Sequence, residues 1–185
     1  ADNVTIIGVS LGGELCMRAA AMEPRIRRVV SWSVLPSIYG ALMADKPAEI
    51  RAKLEHWLDE NNRDAILDLY ASLAEREPLF RWSIQHSNYA YGTSDVYEYL
   101  QKARAFTMEP VAEQITQDVL LLSAREDLLV DFALYKQEID LLKNTRSLEF
   151  AVPGRALNGQ AHCNMGNTKY MLDLILNWND RMLER

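Results

Sequence analysis

The sequence predicts an α/β fold: a parallel sheet of about four strands with flanking helices, into which a helical segment is inserted. The first apolar run, residues 4–7, is followed by a helical pattern and then by a second apolar run. Two strands joined through a helix in so few residues form a βαβ unit, which implies parallel pairing. The strand pattern returns only at residue 118, although a crossover needs about 30 residues in all. We therefore expect a sheet domain of residues 1–36 and 108–185 and a helical insertion of residues 37–107.

The first βαβ unit has recognisable boundaries. The first strand, residues 3–8, ends at a glycine. The helix predicted over residues 11–23 stops before Pro24, because proline disfavours a helical residue in front of it. The second strand, residues 26–34, is an apolar run that ends close to Pro36 and is expected to be buried.

The insertion shows helical periodicity and holds most of the aromatic residues of the chain. Beyond it, a strand is predicted over residues 118–123 and a helix over residues 131–143. Residues 147–152 alternate cleanly, which predicts a strand with Leu148, Phe150 and Val152 on one face. A polar loop then leads to a last helix with apolar residues at helical spacing: Met171, Leu174, Ile175, Trp178 and Met182.

Composition excludes several classes of function. The 185 residues carry a net charge of −6 with no basic stripe, so neither nucleic acid nor an anionic membrane surface is an expected partner. The longest apolar runs fall far short of the roughly 20 residues that a membrane-spanning helix needs. The two cysteines, Cys16 and Cys163, do not make a disulfide framework, and we expect a cytoplasmic location.

A serine stands at the junction of the first strand and the first helix. Gly8, Ser10 and Gly12 match the Gly-x-Ser-x-Gly nucleophile elbow, a strained turn that holds a serine hydroxyl out above the sheet. The strain requires neighbours that lack bulk, and we expect both glycines to meet that need. The backbone N–H of Leu11 is the expected first donor to an oxyanion. The second donor belongs to a loop after an earlier strand, which this sequence lacks, and one lost donor costs about 10²–10³ in turnover. We therefore expect the 185 residues alone to be a weak catalyst.

A serine nucleophile needs a base and the base needs an orienting carboxylate, in the chain order serine, acid, histidine. His162 lies in the loop between the last strand and the last helix, where that order places the base, whereas the other two histidines, His56 and His86, lie in the helical insertion. Asp127 follows the strand 118–123 at the end where parallel sheets gather their functional loops. Glu126 is the second candidate for the acid, and Asp131 is expected to cap the following helix.

Other kinds of site fit the sequence less well. Ser10 occupies the position of the middle glycine in a dinucleotide fingerprint, and no Walker lysine follows Gly13. Cys163 is adjacent to His162, but adjacent loop residues rarely face each other, which favours a packing role for the thiol. No cluster has the spacing of metal ligands, so neither a metal nor a cofactor is expected.

These residues together resemble the α/β-hydrolase superfamily. The resemblance rests on the elbow with its helix (residues 8–13 and 18–26), on residues 121–127 and on residues 159–163. More narrowly, the chain resembles the branch of fermentation–respiration-switch esterases, pseudooxynicotine-type hydrolases and fungal heptaketide hydrolases, whose members carry a helical cap. The resemblance implies that Ser10 is the nucleophile, Asp127 the acid and His162 the base. It also implies cofactor-free cleavage of an ester, an acyl-peptide bond or a carbon–carbon bond next to a carbonyl.

The chain departs from the family at its beginning, where the first half of the sheet is absent and a strand starts within three residues. We expect the C-terminal portion of a longer serine hydrolase, with a small-molecule or acyl-peptide substrate and with the insertion covering the site. The outer edge of strand 3–8 would then be unpaired, and we expect self-association or an N-terminal partner segment to cover it. The alternative is a non-catalytic or degenerate hydrolase-fold module that binds a ligand or partner through its cap. A third interpretation is a doubly wound domain that holds an anion at the N-terminus of helix 11–23.

Overall fold

A computed structural model describes residues 3–44 and 46–184. The predicted parallel sheet is confirmed. Its four strands are β1 (Val4–Val9), β2 (Ile26–Trp32), β3 (Asp118–Leu122) and β4 (Ser147–Ala151), in the order β1-β2-β3-β4. The helices are α1 (Leu11–Met22), α2 (Ile38–Ala44), α3 (Ala48–Asp59), α4 (Arg63–Arg76), α5 (Pro78–Tyr91), α6 (Val96–Ala105), α7 (Ala133–Leu141) and α8 (Thr168–Leu183).

The register aligns the carboxyl ends of all four strands. Val9 pairs with Trp32, Trp32 with Leu122, and Leu122 with Ala151. The loops that follow the strands therefore leave the sheet at a common edge, as they must in a parallel sheet. This alignment is what allows residues far apart in sequence to share one site.

Helices cover both faces of the sheet, because β2 and β3 are apolar on both sides. On one face, Val29 and Val119 pack in a core that includes Met17 of α1 and residues of α7. On the other face, the strand residues Val30, Leu120 and Leu122 pack against one stripe of α8: Met171, Ile175, Trp178 and Met182. The apolar spacing predicted for the last helix is thus its buried face.

Two element ends differ from expectation for local reasons. The second strand stops at Trp32, because Ser33 takes φ 91° and turns out of the ladder while its N–H donates to Leu122 O over 3.0 Å. The seventh helix begins at Ala133, because the Asp131 side chain accepts a hydrogen bond from the Ala133 N–H over 2.8 Å. Asp131 therefore has the capping role expected of it.

The chain divides into two compact units, Ala1–Ala44 together with Thr107–Arg185, and Asp45–Phe106. The first contains the sheet, α1, α2, α7 and α8; the second contains α3 to α6. Within the second unit, the Asn62 and Asp95 side chains cap α4 and α6. The expected domain boundaries, at residues 37 and 107, stay a prediction.

Across residues 3–44 and 46–184, none of the helices combines the length and the apolar character needed to cross a membrane.

Candidate active site

Ser10 lies at the tip of a strained turn between β1 and α1. Its backbone has φ 57° and ψ −124°, a conformation that costs a non-glycine residue about 1–3 kcal/mol. Two backbone hydrogen bonds of 2.8 Å hold the turn: the Ser10 N–H donates to Trp32 O, and the Gly13 N–H donates to Ser10 O. The next strand and the first helical turn thus fix the serine from both sides.

Two glycines, Gly8 and Gly13, make this turn possible, whereas the motif predicts Gly8 and Gly12. A Cβ on Gly8 would lie 1.8 Å from Gly12 O, and a Cβ on Gly13 would lie 2.4 Å from Ser33 O. A Cβ on Gly12, by contrast, would meet no atom of the described chain within 4 Å. The expected need for a small residue is confirmed at Gly8 but wrong at Gly12. Gly12 makes its close contact with Gly8 through its backbone carbonyl, so a side chain at position 12 would not be crowded.

The structure brings the three predicted side chains together. His162 Nε2 lies 2.8 Å from Ser10 Oγ, and His162 Nδ1 lies 2.7 Å from Asp127 Oδ2. The other histidines lie in the second compact unit, His56 on α3 and His86 on α5, where His86 stacks on Trp82. The geometry of residues 10, 127 and 162 is that of a serine–histidine–aspartate series, in which proton transfer from serine to imidazole is within hydrogen-bond reach.

Asp127 both shapes its own loop and contacts the imidazole. Its Oδ1 accepts hydrogen bonds from the N–H groups of Leu129 (2.8 Å) and Val130 (3.1 Å), which leaves Oδ2 for His162. Only 3% of its side chain is exposed. Burial by itself would raise the pKa of Asp127, but the hydrogen bonds from His162 and the two backbone N–H groups hold it below its ordinary value. The carboxylate therefore stays ionised near neutral pH.

The ionised carboxylate makes His162 a stronger base. The hydrogen bond to Asp127, with a smaller contribution from Cys163, raises the pKa of His162 above its ordinary value. Cys163 is buried and its thiol lies close enough to His162 to affect the imidazole, so the expectation that the two adjacent side chains do not face each other is not met. An imidazole with a raised pKa accepts the serine proton more readily, provided that the pH keeps the ring neutral.

Glu126, the second candidate for the acid, points elsewhere. Its two carboxylate oxygens accept hydrogen bonds of 2.6 Å from Nε and Nη2 of Arg155. This pairing lowers the pKa of Glu126. The Glu126 N–H donates to Gln160 O over 2.9 Å, so the residue links the acid loop to the histidine loop through its backbone.

Leu11 opens α1, and its N–H therefore has no acceptor within the helix. It directly follows the strained serine, so it can donate to a negatively charged oxygen that forms next to Ser10 Oγ. No group of three or more His, Cys, Asp or Glu side chains is placed to hold a metal ion in the described parts of the chain.

Two buried carboxyl groups were not foreseen from the sequence. Glu14 of α1 and Glu138 of α7 are fully buried. Burial raises the pKa of Glu14 to about 7, opposed by Arg18, whose Nε lies 3.6 Å from Glu14 Oε1. Burial also raises the pKa of Glu138 to about 8, opposed by the Leu35 N–H and reinforced by Glu14. At pH 7 the Glu138 side chain is therefore mostly neutral.

Sequence reasoning also missed Asn164. Its side chain is buried and hydrogen-bonds to Trp32, Ser123 and Gly159. The sequence offered only one weak signal, an asparagine two residues after the candidate base.

The comparisons with known proteins bear on the fold and the family. No protein-family model matches the sequence. Hydrolase LUC6 of a Fusarium species is 28% identical over 109 residues, which cover 58% of this chain and 25% of that protein. The α/β hydrolase GrgF of Penicillium sp. sh18 superposes with a TM-score of 0.59 at 14% identity, covering 96% of this chain and 63% of that one. The 2,6-dihydroxy-pseudo-oxynicotine hydrolase gives a TM-score of 0.56 at 16% identity, with 95% and 38% covered.

The matched region spans about a quarter of the length of the curated relatives. At 14–16% identity, the two structural likenesses establish the fold.

Proposed function

We propose that this chain, a member of the α/β-hydrolase superfamily, is part of a serine hydrolase that cleaves an ester, an acyl-peptide bond or a carbon–carbon bond next to a carbonyl. One observation carries the proposal: an unbroken hydrogen-bonded series from Ser10 Oγ to His162 and on to Asp127, over 2.8 and 2.7 Å. Relatives named as hydrolases and a parallel sheet shared with structurally known hydrolases support it.

In the proposed reaction, Ser10 Oγ bonds to the carbonyl carbon as its proton passes to His162 Nε2. The Asp127 carboxylate stabilises the imidazolium that forms, and the Leu11 N–H donates to the new oxyanion. His162 then gives the proton to the leaving group as the scissile bond breaks, which leaves an acyl group on Ser10. A water molecule attacks this acyl group with the same base, and the serine hydroxyl is restored.

A fluorophosphonate probe tests the nucleophile directly, because it reacts with an activated serine. We expect the probe to label Ser10, and Ser10→Ala and His162→Ala to abolish the labelling. Ser147→Ala is the matched control, since Ser147 begins β4 at the edge of the sheet opposite the one that carries Ser10 and should leave labelling unchanged. Absence of labelling at Ser10 in the intact protein, or labelling that persists in Ser10→Ala, would contradict the proposal.

We further propose that a strand from outside this chain pairs with β1 and brings the second oxyanion donor. Among the described strands β1 pairs only with β2, so its other edge presents backbone N–H and C=O groups. Ile7 and Val9 of this strand are 46% and 47% exposed, and Leu11, Leu15 and Met22 of α1 are exposed as well. This apolar edge suits a strand from an N-terminal segment or a second copy of the chain.

Hydrogen exchange combined with light scattering tests the edge proposal. The β1 amides that do not donate to β2 should exchange slowly when the chain self-associates or when the N-terminal segment is added. If these outer amides exchange slowly in a monomer without any partner, or stay fast in the intact protein, the proposal is wrong.

The alternative function, a module that binds a ligand or partner through its helical insertion, has one observation in its favour. Three large side chains of α5, Leu79, Trp82 and Tyr89, are exposed at helical spacing. A ligand that quenches Trp82 fluorescence, together with no probe labelling at Ser10, would favour this alternative.

A further inference from the structure

Asn164 joins three segments of the candidate site through one buried side chain. Its Nδ2 donates to Gly159 O over 2.5 Å, within the histidine loop, and to Ser123 O over 3.1 Å, at the end of β3. Its Oδ1 accepts from the indole Nε1 of Trp32, at the end of β2, over 3.2 Å. Both donor hydrogens and the carbonyl oxygen of the amide are therefore used.

We propose that Asn164 is a positioning residue, which holds His162 at hydrogen-bonding distance from both Ser10 and Asp127. The inference rests on the proposed serine-hydrolase function, and it assigns the role to a residue that touches none of the reacting atoms. It follows from the backbone of the histidine loop and from what the three partners of Asn164 themselves contact.

The backbone around His162 needs an outside restraint. Cys163 and Asn164 both have φ 51°, a left-handed conformation that costs a residue such as Cys163 about 1–2 kcal/mol and asparagine less. The Asn164 N–H donates to Ala161 O over 2.8 Å, which closes a tight turn with His162 inside it. Because the turn is intrinsically strained, the buried side-chain hydrogen bonds of Asn164 are what keep it in place.

The partners of Asn164 relate this turn to the nucleophile. Trp32 makes one hydrogen bond through its backbone and one through its side chain: its carbonyl accepts from the Ser10 N–H over 2.8 Å, and its indole N–H donates to Asn164. The serine turn and the histidine turn are thus anchored on the same residue, although Ser10 and His162 are 152 residues apart in sequence.

A second partner relates the turn to the acid. Ser123, whose carbonyl accepts from Asn164, precedes Asp127 by only four residues. One amide therefore sets the position of the base relative to both of its hydrogen-bond partners. A displacement of about 1 Å in such an arrangement can cost about 10²-fold in rate.

Asparagine suits this position for two physical reasons. Asparagine tolerates the left-handed backbone conformation better than most residues. An aspartate in its place would still accept from Trp32 but could not donate to Ser123 O or Gly159 O, and a leucine of similar size could make none of the three hydrogen bonds.

Two readouts test the inference: the pH dependence of fluorophosphonate labelling, and the NMR resonance of the His162 Nδ1–H that faces Asp127. In Asn164→Leu we expect labelling to slow by about 10²-fold. We also expect its pH midpoint to move downward, because an imidazole displaced from Asp127 loses the carboxylate that raises its pKa. The Nδ1–H resonance should weaken or disappear.

Asn167→Ala is the matched control. It removes a hydrogen bond to Leu157 O and the cap of α8 but touches neither Trp32 nor Ser123. It should lower thermal stability and leave both the pH midpoint and the resonance unchanged. Trp32→Phe, which removes the indole N–H and keeps an aromatic ring, is the second variant and serves if Asn164→Leu does not fold. It should shift the pH midpoint in the same direction.

The outcomes separate the two proposals. If wild-type Ser10 is not labelled, the serine-hydrolase function fails, and the His162 resonance still tests the positioning role. If wild-type Ser10 is labelled but the folded Asn164 and Trp32 variants keep the wild-type pH midpoint and resonance, the positioning role is overturned.

Discussion

Replacing Gly8 with alanine should disable the serine turn, whereas the same change at Gly12 should not. The Cβ added at Gly8 would lie 1.8 Å from the carbonyl oxygen of Gly12 and 2.8 Å from Cys16 Sγ. Ordinary contact begins near 3.4 Å, so the carbonyl must retreat by about 1.6 Å. That carbonyl belongs to the first turn of α1, two residues after Ser10, so its movement displaces the serine as well.

The magnitude follows from this displacement. A shift of more than 1 Å in the nucleophile costs about 10²-fold or more in the rate of probe labelling. Overpacking against backbone costs about 1–3 kcal/mol of stability. For Gly12→Ala the added methyl group meets no atom of the described chain within 4 Å, and alanine is favoured over glycine in a helix by up to about 1 kcal/mol.

Labelling rates and thermal unfolding of the two variants check the reasoning. Gly8→Ala should lose labelling and melt earlier; Gly12→Ala should label normally and melt at the same temperature or higher. Equal losses in the two variants, or a Gly8→Ala protein that labels at the wild-type rate, would refute the assignment of the steric constraint to Gly8.

Three further predictions concern carboxyl groups. Asp127→Asn keeps an acceptor for the Leu129 and Val130 N–H groups, so it should fold and label about 10³–10⁴-fold more slowly. The acid limb of labelling, followed between about pH 6 and 11, should shift to lower pH, because Asp127 raises the pKa of His162 to about 10. An acid limb that stays in place would contradict the assigned cause of the raised His162 pKa. Glu126→Gln should label at a rate within about threefold of the wild-type rate, since the Glu126 carboxylate pairs with Arg155. A tenfold lower rate would instead favour Glu126 as the acid. Glu138 has its pKa raised from 4.5 to about 8 in the folded chain, so its contribution to stability is complete below pH 4.5 and declines, by about 1.4 kcal/mol per pH unit, as the pH rises towards 8. The melting temperature of Glu138→Gln should therefore rise relative to that of the wild type as the pH goes from 5 to 8.5. A difference in melting temperature that stays constant over this range would contradict the prediction.

The sequence was sufficient to predict the order of elements and that residues 10, 127 and 162 would lie together, and the reason is topological. In a parallel sheet every strand ends at the same edge, so Ser10, Asp127 and the loop of His162 had to meet once the strands were located. The last strand shows where such reasoning stops. Leu148 and Val152 pack against the core, and Phe150, predicted on the same face, meets the core residue Tyr135 edge-on at 5.8 Å but is 59% exposed, an exposure that alternation alone does not predict.

The exposure of Phe150 and two other features that the sequence did not predict share a cause. Alternation identifies a face of a strand, but it does not say whether a helix covers that face along its whole length at the edge of a sheet. The tight contact at Gly13 depends on Ser33, and the role of Asn164 depends on Trp32, 132 residues away. Local patterns carry no information about such partners, because they become neighbours only after the strands have paired.

The long separation between Ser10 and His162 has a consequence for when the candidate site forms during folding. Their contact closes a loop of 152 residues, and the contact between His162 and Asp127 closes one of 35. Helices form from local contacts within microseconds, whereas long-range parallel pairing is slow. We therefore expect Ser10 to become reactive towards the probe late in folding. During refolding, recovery of probe labelling should lag behind recovery of the helical circular dichroism signal, which makes the chemistry of Ser10 a reporter of the completed sheet.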